Sequence, residues 1–402
     1  MKILVLNSGS STQKSALFEL ASDSSNEPVQ PMWEGKLEWE GNKEKVTVRN
    51  AGGKEFKEEA VVKEADRKAS VEKMLQKLWQ TPTQIIGDRS EIAVIGHRIV
   101  HGGPKLSQPT IVTAQVKQAI SDVSLIAPLH NVAGIQGIEL AEKLFPKHPQ
   151  IAVFDTGFHR TLPKYAAVYP GPYHWFERGI RRYGFHGINH EYCLHRAAHI
   201  LKREITSLKI ISCHLGNGCS LAAISGGKSV DTTMGFTPLD GLMMGTRGGS
   251  IDPGILIHLM RVDGIGPKDL DDILNHDSGL LGISGISSDM RTVLTAAGKG
   301  NERAKLAFNI FVHRLQSGIA AMAASLGGVD VIVFTAGIGE NSAEVRGAAC
   351  AKLMFLGVEL DQANNSSARP DVDIATQNSA VRVLVIRAQE DWSIARECVR
   401  LS

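Results

Sequence analysis

The chain has 402 residues, enough for two or more domains rather than one core. Its 43% hydrophobic and 21% charged residues describe an ordinary globular protein, and 44 Lys and Arg against 42 Asp and Glu leave a net charge of +2. With no long basic run, that balance argues against nucleic acid as the main partner. Five cysteines (Cys193, Cys213, Cys219, Cys350, Cys398) show no C-x-x-C spacing and point to reduced, mostly buried thiols in a reducing compartment. The first residues have too short an apolar core for a signal peptide. The most apolar stretch, Ile319 to Phe334, is interrupted by Gly327, Gly328 and Asp330. No membrane span is expected, and the chain reads as cytoplasmic.

Lys2 to Leu6 reads as a strand, Asn7 to Thr12 as a glycine and hydroxyl turn, and Ser15 to Leu20 as a second strand. Residues 22 to 68 are polar and read as peripheral strands and loops without chemistry. Ala69 to Trp79 has helical spacing through Val71, Met74, Leu75 and Leu78. Ile92 to Ile95 is a strand leading into Gly96 to Gly103, with Arg98 placed to face a cleft. A helix is expected from Ala127 to Phe145. The strand Ile151 to Phe154 delivers Asp155 just past its carboxyl end, where α/β folds put catalytic groups. His190, His195 and His199 lie on a helix from about Asn189 to Leu201. Their spacings of five and four, with no acidic partner, read as helix-face histidines rather than zinc ligands.

The densest signal runs from Lys209 to Gly254. Two apolar runs, Ile210 to Leu215 and Ser220 to Ile224, flank Gly216-Asn217-Gly218 as a hairpin whose turn exposes backbone N–H groups. Such a turn can cradle phosphate, because N–H dipoles converge and no Cβ blocks the approach. Gly245 to Gly249 then surround Arg247, a forked cationic donor suited to phosphate oxygens. The hairpin repeats the plan of Lys2 to Leu20 about 200 residues later and suggests two related domains. Further on, Pro253 to Met260 starts a helix, and Asp263 to Asp277 is an acidic, solvated helical face. Gly279 to Arg291 is a glycine turn into a helix, and Glu302 to Leu326 is a long helix rich in small residues. Val329 to Phe334, followed by Gly337-Ile338-Gly339, has strand, Gly-x-Gly turn and helix in nucleotide-contact order. Val381 to Ile386 is the last strand, and Glu390-Asp391 opens a C-terminal helix.

Paired arginines, histidines and carboxylates beside glycine turns suit phosphoryl transfer, where catalysis is positioning and charge neutralisation. There is no Walker A motif, since Ala222 stands where Gly227-Lys228-Ser229 would need a preceding glycine, and no G-x-S-x-G elbow. The ordered motifs LNSGSSTQK from Leu6, GHRIVHGG from Gly96, APLHN from Ala127, FDTGFH from Phe154 and YGFHG from Tyr183 cover the first half of the chain. CHLGNG from Cys213, TPLDGLMMGTRGG from Thr237, FTAGIGENS from Phe334 and the acidic Glu390 complete the set. Across essentially the whole length, the chain resembles the acetokinase family of the acetate and sugar kinase, heat-shock ATPase and actin superfamily.

The resemblance implies an α/β fold of two domains with duplicated ribonuclease-H-like cores and an interdomain cleft for ATP. The domains would be 1–154 plus 391–402, and 155–390. It implies reversible transfer of the ATP γ-phosphoryl group to acetate, giving acetyl phosphate and ADP, with Mg²⁺ (Mn²⁺ also possible), a homodimer, and closure on nucleotide. Arg98, Arg247, His186 and Asp155 would be catalytic, and Arg98 with Val100, Leu129 and Pro238 would bind the acyl substrate. Asn7 and Glu390 would contact or position the metal, with Ser10, Thr12 and Lys14 nearby. Lys14, His214, Gly216, Asn217, Gly218, Asp289, Met290, Arg291, Gly337, Ile338, Gly339 and Asn341 would serve the nucleotide. Gly248 and Ser250 depart from the family pattern, which usually has Ser or Cys and then Asp; losing that acid could alter how Arg247 is held. Two alternatives stand beside this reading: a kinase for propionate or another short acyl group, and a catalytically silent nucleotide-binding protein of the same fold.

Overall fold

The structure, a computed structural model, describes residues 1–9, 12–21, 27–125 and 128–402, with the backbone alone at 125 and 128–130. It divides into two compact units, Met1–Gly157 with Gln389–Ser402, and Phe158–Ala388. Asp155 and Glu390, expected in the second domain, therefore fall in the first unit. The backbone explains both: the Asp155 N–H still donates to the Ile99 carbonyl of the first sheet, and the C-terminal helix Glu390–Leu401 packs on that sheet.

The first unit carries β1 (Lys2–Ser8), β2 (Thr12–Glu19), β3 (Trp33–Glu40), β4 (Lys43–Asn50), β5 (Glu55–Val61), β6 (Ile92–Ile99), β7 (Thr110–Ile111) and β8 (Gln150–Phe154). Their order is β5-β4-β3-β2-β1-β6-β8-β7, with β1 antiparallel to β2 and parallel to β6, and β6 parallel to β8. Of the stretch 22–68, the described residues 27–68 are thus more than periphery. In β3 and β4, Trp33, Leu37, Val46 and Val48 alternate inward and join Met74 and Leu75 of the helix Arg67–Gln76 in the main core. The apolar run at Ile92 stops in sequence at Gly96, yet β6 continues through Arg98 because β1 and β8 both pair with it. Gly96 has a packing reason: a Cβ there would come within 2.7 Å of both Ile394 Cγ2 and Cys398 Sγ. The missing side chain lets the C-terminal helix lie close on β6, burying Trp392, Ile394, Ala395 and Cys398. Each large apolar side chain among these contributes roughly 1.5–3 kcal/mol of burial.

The second unit carries β9 (Lys209–Leu215), β10 (Cys219–Ser225), β11 (Lys228–Thr232), β12 (Val331–Thr335), β13 (Val372–Asp373) and β14 (Arg382–Val385), ordered β11-β10-β9-β12-β14-β13. The sub-order β11-β10-β9-β12-β14 matches β3-β2-β1-β6-β8 in strand direction at every step. These are the duplicated ribonuclease-H-like cores. The helix Glu302–Leu326 uses its small residues as expected; a Cβ on Gly318 would lie 2.8 Å from Leu221 Cδ1 of β10. The glycine turn expected from Gly279 begins instead as a short helix, Gly279–Ser284. All five cysteines are free and buried, and no helix among the described residues is long and apolar enough to cross a membrane.

His97 is buried on β6 with Nε2 2.7 Å from Gln150 Oε1. Burial pushes its pKa down from 6.5 to about 4, with the Gln150 contact opposing. The unfolded chain therefore takes up a proton at this residue as pH falls below 6.5, while the folded chain does not until about 4. Stability present at neutral pH is lost across that window, by about 3 kcal/mol at its lower end. His97→Gln is expected to remove most of this acid-side loss, read as a smaller fall in urea midpoint between pH 7 and 4.5. Parallel falls in both proteins would show that His97 is not the buried base responsible.

Candidate active site

In the first unit, parallel pairing of β1, β6 and β8 puts their carboxyl ends on one edge of the sheet, the place where open α/β sheets bind ligands. Asn7, Arg98 and Asp155 stand there. The Arg98 Nη2 donates to Asp155 Oδ2 at 2.6 Å, and Arg98 Nη1 makes a long contact of 3.4 Å to Asn7 Oδ1. Asn7 Nδ2 in turn donates to Asp391 Oδ1 at 3.0 Å. Burial works against the Arg98 cation, but Asp155, Glu390 and Asp391 overcome it and hold the guanidinium above its ordinary range. Burial raises the Glu390 carboxyl, with Asp155 adding to the rise and Arg98 and Lys14 opposing it. Burial likewise raises Asp391, with the Asn7 hydrogen bond opposing.

In the second unit, β9 and β12 again run parallel, and the turn after β9 holds Gly216-Asn217-Gly218. A Cβ on Gly218 would lie 2.7 Å from Arg247 Nη2 and 3.3 Å from His186 Nε2. Only a glycine lets the guanidinium and the imidazole both approach this turn. Arg247 is half-buried and donates from Nη1 to the Pro238 carbonyl at 2.9 Å, and no carboxylate among the described residues forms an ion pair with it. Burial pushes its pKa down. The His186 and His214 rings stack at 3.9 Å between centroids with 7° between planes. Asn189 Nδ2 donates to His214 Nδ1 at 2.9 Å, which leaves the proton of a neutral His214 on Nε2, the atom nearest the Gly216 position. Ser220 Oγ bridges His186 Nδ1 at 2.9 Å and His190 Nε2 at 2.8 Å. Burial pushes His190 well below its ordinary value, with His159 and His214 adding to the effect, so it stays neutral in this network. His186 and Ala336 adopt left-handed backbone at φ 56° and 65°, a conformation that costs non-glycine residues on the order of 1 kcal/mol and clusters at functional sites.

A cavity of about 920 Å³ in the same unit is lined by Gly216, Asn217, Asp289, Met290, Arg291, Gly337, Ile338 and Asn341. Ser288, Leu294, Thr295, Ser342 and Glu344 complete its wall. The acetokinase family model matches residues 2–396. The chain belongs to the acetokinase family. It is 56% identical to acetate kinase of Trichormus variabilis over 100% of this chain and 99% of that one. Among solved structures, acetate kinase from Porphyromonas gingivalis superposes with a TM-score of 0.89 at 38% identity, covering 98% of each chain. A propionate kinase from Francisella tularensis gives 0.88 at 38% identity, again over 98% of each.

Within this acetokinase-family chain the expected residues fall in both units. Lys14 lies in the first unit, opposite Asn7 across β1 and β2, and its charge acts on Glu390 and Asp391. Gly339 does not line the cavity; a Cβ there would sit 3.3 Å from the Phe334 carbonyl carbon and 3.7 Å from Leu215 Cβ. Asp289 caps the helix Met290–Gly298 by accepting from Arg291 N at 2.8 Å and also pairs with the Arg291 side chain. That pairing holds the Asp289 carboxyl below its usual range. Val100 is buried just past β6, Pro238 belongs to the second unit, and the Leu129 side chain and Ser10 lie outside the described residues. Asn7 turns its amide oxygen toward Arg98 and its NH₂ toward Asp391, so it reads as a positioning group as much as a ligand. Ser250, the departure from the family pattern, donates to Asp240 Oδ1 at 2.5 Å.

Asp391 escaped sequence reasoning, although its place beside Glu390 at a helix start was the available signal. Its carboxylate fixes which way the Asn7 amide faces. Asp391→Ala is expected to lower turnover roughly tenfold, the scale of one lost charge-assisted hydrogen bond. Asp391→Asn, which keeps an acceptor, should retain most activity. Wild-type turnover in Asp391→Ala would show that the Asn7 orientation has no bearing on rate.

Proposed function

We propose that the protein transfers the γ-phosphoryl group of ATP to acetate, reversibly and in line. A carboxylate oxygen attacks the γ-phosphorus, the bond from that phosphorus to the β,γ-bridging oxygen breaks, and ADP leaves with the electron pair. Acetyl phosphate forms with no covalent enzyme intermediate, because the carboxylate is itself the nucleophile. The observation that supports this most is Arg247, a half-buried guanidinium beside a glycine turn that no carboxylate among the described residues pairs with. A desolvated cation of this kind is stabilised by a bound anion. Arg247 and His186 would stabilise charge on the transferring phosphoryl group. Arg98, kept charged and oriented by Asp155, would bind the acyl carboxylate. The cavity at Asp289 to Asn341 would take the nucleoside.

The first unit fits Mg²⁺. Asp155, Glu390 and Asp391 place three carboxyls against the two cations Arg98 and Lys14; burial raises the Glu390 and Asp391 carboxyls, and a bound cation would favour their charged forms. Among the described residues no group of three or more His, Cys, Asp or Glu side chains is placed to hold a metal ion; Mg²⁺ commonly binds through one or two carboxylates and substrate phosphates. Glu390 would hold Mg²⁺, with Asn7 adjacent; when bound, the ion neutralises phosphate charge. Mn²⁺ would serve in its place.

A homodimer is supported by the helix Pro253–Val262. It buries none of its residues, and Ile255, Ile257, Met260 and Val262 are all exposed. A patch of this kind marks an interaction surface. Ile255→Asp with Met260→Asp is expected to halve the mass measured by light scattering, and a monomeric wild type would remove the dimer reading.

A propionate preference is the second reading, supported by the equal match to the Francisella tularensis propionate kinase. Acyl phosphate trapped with hydroxylamine from formate, acetate, propionate and butyrate separates the two. One methylene in an apolar pocket is worth only about 1–3 kcal/mol, so propionate should be a poorer substrate rather than none. Arg98→Ala and Arg247→Ala should each cut turnover by a factor of about 100 or more. Undiminished turnover in both would refute the mechanism.

A further inference from the structure

The loop between β11 and the helix Pro253–Val262 carries Pro238 and Arg247, and its shape is set by a cluster of groups outside the expected site. Arg182 Nη1 donates to the carbonyls of Thr232, Thr233 and Met234 at 3.0, 2.9 and 3.1 Å and lies 3.4 Å from Asp240 Oδ2. Its guanidinium rests 5.6 Å from the Tyr169 ring centroid, and the Phe236 N–H donates to the Tyr169 hydroxyl at 2.8 Å. The other Asp240 oxygen accepts from Gly241 N at 2.9 Å and from Ser250 Oγ at 2.5 Å. Ser250 Oγ also accepts from Gly241 N at 3.0 Å, and Ser250 N donates to the Gly241 carbonyl at 2.9 Å. Asp240 therefore ties the start of the loop, held by Arg182, to its end at Ser250. Between those two points lie the Pro238 carbonyl and the guanidinium it holds. Gly235 makes the fit close: a Cβ there would come 2.1 Å from the Tyr169 hydroxyl and 2.5 Å from Asp240 Oδ2.

We propose that Asp240 is a positioning residue that, through Arg182 and Ser250, fixes the Pro238–Arg247 loop and thereby sets the selectivity between carboxylates differing by one methylene. The proposal rests on the acyl-kinase reading for the second half of that statement. Pro238 and Arg247 share one loop, so loosening it moves an acyl-pocket wall and a phosphoryl-binding group together. The cavity at Asp289 to Asn341 draws no residue from positions 232–250 and meets this loop where Gly245 N donates to the Asn217 carbonyl at 3.0 Å, so KM for ATP is expected to move less than KM for acetate. The hydroxyl of Ser250 does the tying that a carboxylate could not do so close to Asp240 without taking up a proton.

The test uses full-length Asp240→Ala, Asp240→Asn and Ser250→Ala with two readouts. The first is steady-state kinetics with acetate, propionate and ATP varied in turn. The second is amide hydrogen exchange over residues 235–250. Asp240→Ala is expected to raise KM for acetate about tenfold, the scale of the hydrogen bonds removed, and to move the acetate-to-propionate ratio of kcat/KM several-fold toward unity. KM for ATP should stay within about twofold of wild type. Exchange should quicken in 235–250 alone, and Asp240→Asn, which keeps the acceptor for Ser250 and Gly241, should recover most of the ratio. An unchanged ratio with a loosened loop overturns the selectivity role. Parallel losses for ATP and acetate with faster exchange throughout the unit reduce Asp240 to general stability and also overturn it. If the wild type phosphorylates neither acid, the acyl-kinase reading fails on its own. The exchange data still decide the clamp then, because unchanged protection of 235–250 in Asp240→Ala overturns it.

Discussion

Parallel pairing at the centre of each sheet is the constraint on which the rest of the molecule depends. When β1 lies parallel to β6, and β6 to β8, three chain segments far apart in sequence must end on the same edge. The same pairing of β9 with β12 brings the Gly216–Gly218 turn and the strained Ala336 to one edge of the second sheet. The backbone hydrogen-bond ladders fix these positions before any functional side chain is considered. What the side chains add is chemistry at the places the strands already deliver.

The two units bring opposite charge to that chemistry. The first gathers Asp155, Glu390 and Asp391 around Arg98 and Lys14, leaving a surplus of carboxylate. The second presents Arg247 with no carboxylate partner among the described residues, two stacked imidazoles and a turn of backbone N–H groups. Each arrangement is poorly satisfied alone: burying the carboxyls raises them, and desolvation weakens the free guanidinium. Under the proposed reading, a divalent cation would answer the carboxyls of the first unit and a phosphate-bearing substrate the Arg247 guanidinium of the second.

Much of this was legible in the chain because the candidate site residues sit where apolar runs end. Arg98, Asp155 and the Gly216–Gly218 turn each follow a short hydrophobic stretch, and that punctuation survives without any three-dimensional information. The reach of β6 was not legible, since Gly96, His97 and Arg98 break the apolar run; their strand conformation comes from partners on both sides. Residues 33–61 were legible as strands but not as part of the main core, because polar outward positions mask the period of two kept by Trp33, Leu37, Val46 and Val48. Ser288, Leu294 and Thr295 had no local signal, because a cavity wall is a property of packing. Gly339 was singled out from a Gly-x-Gly pattern, and the structure adds a packing reason for that glycine, its closeness to β9. Asp240 was passed over because one acid in a loop has no pattern, and its meaning comes only from Arg182 and Ser250.

The placement of strain follows the same logic. His186 and Ala336 hold left-handed backbone without being glycine, and Gly218 gives up a side chain so that Arg247 and His186 can share its turn. Glu390 and Asp391 are kept as carboxyls in surroundings that disfavour their charge. None of these choices stabilises the folded chain, and natural sequences that favour stability alone would relax them. Their cost is met by ordinary packing nearby: the C-terminal helix seated over Gly96, and the long helix Glu302–Leu326 seated over β10 through Gly318. Glycine thus acts in two senses in this fold. At Gly96 and Gly318 its missing Cβ brings helices down onto sheets and adds stability. At Gly218 the same absence leaves room for the Arg247 guanidinium and the His186 imidazole beside one turn. The first use supports the second, because a turn shared by two polar side chains is held in one place by a sheet whose helices are packed tightly against it.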